Sequence, residues 1–85
     1  MTSEEMVAEI VARLTEKQVC CLRVIDHYVK HNKMFVCRTV MDHTYSDEWS
    51  AIKRMRLCSI MGLDFVFSSF GRKVADALAV QRRPT

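Results

Sequence analysis

The sequence predicts a small, mainly α domain with at most a short β element. Apolar residues recur at helical spacing along most of the chain. The 85 residues include only two glycines and one proline, too few turn formers for an all-β architecture. Alternation of large apolar residues, the mark of a half-buried strand, is confined to residues 63–67. A chain of this length builds one domain around one core.

Thr2 and Glu5 have capping-box spacing, and Met6, Ile10, Val11 and Leu14 follow at helical intervals, so a first amphipathic helix is expected within residues 1–13. Thr15 and Gln18 repeat the box and open the longest pattern, running to about His31. Its apolar positions cover most of the circumference, and only Arg23, Asp26, His27 and Lys30 make a polar strip. This should be the central, most buried helix. Asn32 is a suitable C-terminal stop, because asparagine tolerates left-handed backbone.

From Met34 to Leu63 the chain reads as a short helix, a polar break at His43–Ser46 and a longer basic helix from Asp47 to about Met61. That is a helix-turn-helix outline. Ser46 is the expected cap, with Asp47 and Glu48 facing the positive end of the helix dipole. Gly62 is a stop, and Leu63–Phe67 suits one short strand. Ser68 or Ser69 then caps a last helix from Gly71 to about Val80, with Val74, Leu78 and Ala77 turned inward. The division expected is a helix within 1–13, a core over 14–78 and a frayed tail over 81–85, all one domain.

Periodicity leaves two faces of the basic helix open. If Ala51, Met55, Cys58 and Met61 face the core, Leu57 and Ile60 lie outside with Trp49 at the edge, and exposed aliphatics in this arrangement mark a protein contact. If Trp49, Ile52 and Ile60 are the buried set, Arg54 and Met61 move outward.

Net charge is +3 and unevenly spread. Residues 1–18 hold four glutamates against Arg13 and Lys17, whereas the remainder holds eleven lysines and arginines against six carboxylates. The basic part is the part containing the helix pair, which is compatible with a polyanion partner. No apolar run approaches the length that spans a bilayer, and the acidic start is not a secretory signal, so a soluble cytoplasmic chain is expected. Cys20, Cys21, Cys37 and Cys58 form no C-x-x-C pair and sit among apolar residues, which suits buried free thiols in a reducing compartment.

Few residues suggest chemistry. His27 and His31 lie four apart with Cys20 two turns back, but nothing completes a ligand set at a recognised spacing, and no metal or other cofactor is expected. Cys37 beside Arg38 is the one candidate nucleophile, and its apolar neighbours argue for burial. No glycine loop cradles a phosphate. A non-enzyme without catalytic residues is expected.

Three stretches together resemble the winged helix-turn-helix transcriptional regulators. Leu14-Thr15-Glu16-Lys17-Gln18, with Cys21, Leu22 and Ile25 after it, is similar to the opening of the family's first helix. Residues 50–63 resemble a recognition helix running into the wing, and residues 67–78 resemble the closing helix with its Gly71-Arg72 pair. The chain departs from the pattern at Thr44, where the family commonly has glycine, and in the roughly five residues between Leu63 and Ser68, which leave room for one strand rather than a hairpin. The resemblance implies duplex DNA binding through the second helix of the pair, with Ser50, Lys53, Arg54 and Arg56 as the contacting residues, and a homodimer seamed by residues 3–13 and 71–80. The alternative is a protein-interaction module, a small inhibitor or adaptor, contacting its partner through Trp49, Leu57 and Ile60.

Overall fold

The computed structural model describes residues 2–62 and 64–81. Along these residues the order is α1 (Ser3–Arg13), α2 (Glu16–Lys30), α3 (Met34–His43), α4 (Ser46–Arg54), β1 (Cys58–Met61), β2 (Asp64–Phe67) and α5 (Ser69–Gln81). The fold is mainly α, as the periodicity predicts. Of the tail expected over 81–85, Gln81 instead ends α5, and residues 82–85 lie outside the described residues.

Local chemistry sets the early boundaries. The Thr2 hydroxyl accepts from the Glu5 N–H at 3.1 Å and starts α1. A reciprocal capping box starts α2: the Gln18 N–H reaches the Thr15 hydroxyl at 3.1 Å, and the Thr15 N–H reaches the Gln18 side-chain oxygen at 3.0 Å. At the other end of α2, Asn32 has φ 57°, its N–H donates to the Val29 carbonyl, and the Lys33 N–H reaches back to the Tyr28 carbonyl. This is a Schellman stop with asparagine at the left-handed position.

α2 is the central helix. Val19, Cys21, Leu22 and Ile25 are buried on it, and α3, α4 and α5 all pack against it. The core continues through Cys37 and Met41 of α3, Trp49 and Ile52 of α4, and Val74 and Leu78 of α5. α1 lies against α5 and adds Val7. One polar member of the strip on α2 is also buried: Asp26 accepts from the Arg72 guanidinium at 2.7 Å and pairs with Lys30 at 3.2 Å, tying α5 to α2. Burial disfavours the Arg72 cation, but its hydrogen bond to Asp26 and the charges of Asp26 and Asp76 outweigh this and hold its pKa above the usual arginine value.

The second half of the helix pair departs from expectation. The helix does not run to Met61 but ends at Arg54, and a strand follows. Met55 caps it, the Arg56 N–H donates to the Lys53 carbonyl, and the Leu57 N–H donates to the Ile52 carbonyl, a second Schellman stop with Arg56 at φ 57°. Leu57 and Ile52, the apolar pair that accompanies this motif, are both fully buried. Ser46 is not a side-chain cap; Tyr45 holds the N-cap position without a side-chain bond.

β1 and β2 form an antiparallel hairpin pairing Cys58 with Phe67, Ser59 with Val66, Ile60 with Phe65 and Met61 with Asp64. The expectation of a single strand is therefore corrected: the segment read as the end of a helix supplies the partner strand. Gly62, read as a helix stop, is in the hairpin turn at φ 66°. Phe65 packs on Trp49 with ring centroids 5.1 Å apart and seats the hairpin on α4. Ser68 caps α5 by accepting from the Gly71 N–H at 2.9 Å, while its hydroxyl donates to the Arg56 carbonyl at 2.7 Å.

Candidate nucleic-acid interface

The burial of Trp49 and Ile52 settles which face of α4 is inside. Ser50, Lys53 and Arg54, at i, i+3 and i+4, are then exposed together, Arg54 opposite the buried pair and Lys53 at the flank beside Trp49. The Ser50 hydroxyl donates to the Ser46 carbonyl at 3.0 Å. Lys53 places its ammonium 5.3 Å from the centre of the Trp49 ring, a cation–π contact that holds the base of the side chain against the core.

Among the described residues, ion pairing leaves Arg23, Lys33, Arg38 and Lys73 without carboxylate partners as well as the cations of this surface, which differ in being gathered at one helix end beside the hairpin. Arg13 pairs with Glu9, Lys17 with Glu48, Lys30 with Asp26, and Arg72 with Asp26 and Asp76. Lys53, Arg54 and Arg56 are exposed and have no ion-pair partner among the described residues. The carboxylates of α4, Asp47 and Glu48, stand in its first turn, and Glu48 is turned to Lys17 of α2.

Arg56 is not where the sequence pattern puts it. Instead of lying mid-helix it sits one residue past the cap, in left-handed backbone that costs a non-glycine residue roughly 1–2 kcal/mol. There it joins Lys53, Cys58, Ser59, Val66, Phe67 and Ser68 in lining a cleft of about 320 Å³ between the end of α4 and the hairpin. Ser59, Val66, Phe67 and Ser68 escape a helical reading of residues 47–61. Alternating Cys58 and Ile60 before Gly62, with Phe65 and Phe67 after it, was the available hairpin signal.

The residues expected to make a protein contact are mostly inside. Leu57 is fully buried and Trp49 is 5% exposed, because the stop at Arg56 turns Leu57 back onto Ile52 and the hairpin covers Trp49. Ile60 is half-buried on the hairpin's inner face. Exposed apolar surface lies instead on the outer face, at Met61 and Val66.

The thiols are not poised for chemistry. Burial pushes Cys21 and Cys58 up to about 12 and Cys37 up to about 11, so each is a neutral thiol near pH 7. Cys20, expected among the buried cysteines, is exposed, since its position on α2 faces away from the packed side. The His27 and His31 rings are 4.4 Å apart, but no group of three or more candidate metal ligands forms among the described residues. No described helix is long and apolar enough to cross a membrane.

Fold and site together define a small, mainly helical domain in which a helix pair leads into a β-hairpin and a closing helix. A scan against family models, a search of curated proteins and a search of solved structures each found no match.

Proposed function

We propose that this chain is a small DNA-binding transcriptional regulator of winged helix-turn-helix type, acting as a homodimer and without enzymatic activity. The observation that carries the reading is the set of cations left without carboxylate partners at and just beyond α4, Lys53, Arg54 and Arg56, next to a hairpin that follows the helix pair directly. Cations neutralised by carboxylates serve the fold, whereas unpaired cations gathered at and just beyond one short helix are available to phosphates. The hairpin adds support, since it follows the helix pair where the resemblance puts a wing. Its turn is short and the pair that closes it, Met61 and Asp64, includes no cation, so the hairpin tip is given no phosphate contact in this reading.

The test is binding of a fluorescently labelled mixed-sequence duplex of about two helical turns, comparing the wild-type chain with Lys53→Gln/Arg54→Gln. The double variant should keep its fold, because both side chains are exposed, and lose duplex affinity by at least tenfold. Undiminished affinity in the variant would place the nucleic-acid surface elsewhere.

A second reading, a protein-interaction module, draws on the outer hairpin face, where Met61 is 66% exposed beside Val66. Replacing Met61 by serine should weaken a protein contact and leave duplex affinity intact.

A further inference from the structure

The left-handed residue at the end of α4 is the least expected choice in the chain. Two helices stop by the same Schellman geometry, and the other stop uses asparagine, which tolerates positive φ. At the second stop the position is an arginine, although glycine would meet the backbone requirement without strain. The strained conformation is held from two sides: the Arg56 N–H is bonded to the Lys53 carbonyl, and its own carbonyl accepts from the Ser68 hydroxyl at 2.7 Å. The backbone gains nothing from the side chain, so a use for the side chain is to be sought where it stands.

It stands at the cleft between α4 and the hairpin. Lys53 and Arg56 supply two cations without ion-pair partners, and Ser59 supplies an exposed hydroxyl with no hydrogen bond among the described residues. Val66 and Phe67 add apolar surface, and Arg72 is occupied elsewhere, stacked 4.8 Å from the Phe67 ring and paired with Asp26. Among the described residues, no carboxylate lines the cleft. A phosphate oxygen is the ligand group that two cations and a hydroxyl recognise together, and the apolar part suits a sugar.

We propose that this cleft seats one backbone phosphate of a bound nucleic acid, with Arg56 as the residue kept in strained backbone to hold it. Lys53 and Ser59 complete the seat, and Lys53 joins it to the Ser50–Arg54 face of α4. The proposal rests on the nucleic-acid reading above but assigns a separate position, off the helix, to one contact.

Three chains test it: wild type, Arg56→Gly and Arg56→Asn. Both variants accept positive φ, so both should unfold at the same or a higher temperature than wild type. Each should also flatten the dependence of log K on log salt for the mixed-sequence duplex by about 0.9, the loss of one phosphate contact. In parallel, inorganic phosphate is titrated into the isotope-labelled proteins, and amide shifts around residues 53–59 and 66–68 are followed; they should saturate in wild type and disappear in both variants. An unchanged salt slope together with no localised phosphate shift overturns the seat while duplex binding by wild type preserves the wider reading. Localised phosphate shifts lost in the variants, with no duplex bound by any chain, keep the anion seat and overturn the nucleic-acid part. A variant that is less stable than wild type shows Arg56 to be structural and removes the argument.

Discussion

At the residue scale, the buried thiols carry a pH dependence of known sign. Cys21, Cys37 and Cys58 ionise near pH 9 when unfolded and are held protonated to about 11 or 12 by burial in the fold. Between those limits the unfolded chain binds fewer protons than the folded one, so stability falls as pH rises. The contribution is fully present below pH 9 and is lost through the range up to about 12, at up to about 1.4 kcal/mol per pH unit for each thiol. Urea midpoints measured from pH 7.5 to 11 should be level up to about 9 and then decline; a flat profile to pH 11 would mean that these thiols are not buried. Labelling at pH 8 with a thiol reagent should modify Cys20 rapidly and the other three only on unfolding.

At the scale of elements, the start of α5 lies backbone to backbone against Leu57, the residue that leads into β1. A Cβ added at Gly71 would lie 1.7 Å from the Leu57 carbonyl oxygen, too close for any real contact and against backbone that cannot give way. Gly71→Ala should therefore force α5 off the hairpin and lower stability by about 3 kcal/mol or more. A thermal midpoint within a degree of wild type would show that the two backbones are not in contact. The elements before this junction were legible in the sequence because local chemistry states them: Thr2, Thr15 and Gln18 announce helix starts, and Asn32 announces a stop. The second stop was not legible, because its left-handed residue is an arginine, and residues 57–61 keep helical spacing as readily as strand alternation. Pairing of Cys58–Met61 with Asp64–Phe67 decided between them, and that is a tertiary fact. The same ambiguity carried into the site: periodicity left two faces of the basic helix open, Leu57 was surface in one of them, and Arg56 was taken for part of a helix.

At the scale of the whole molecule, the acidic first helix and the unpaired cations at the end of α4 divide the surface between two tasks, self-association and polyanion binding in our proposal. α1 rests on α5 and buries only Val7 fully, so the remaining fold keeps most of its core without it. Deleting residues 1–12 should give a folded monomer by sedimentation; a truncated chain that sediments as the full-length one does would move the seam away from the terminal helices. The central claim is that the unpaired cations at and beyond α4 bind duplex phosphates, and the salt dependence of duplex affinity reads it most directly. For the wild-type chain, log K against log salt between about 50 and 200 mM should fall linearly with a slope of roughly 2 per bound chain, from the phosphate held by Lys53 and Arg56 and the one met by Arg54, at about 0.9 each. No measurable duplex binding even at about 50 mM salt, or an affinity that does not change with salt, would contradict the account.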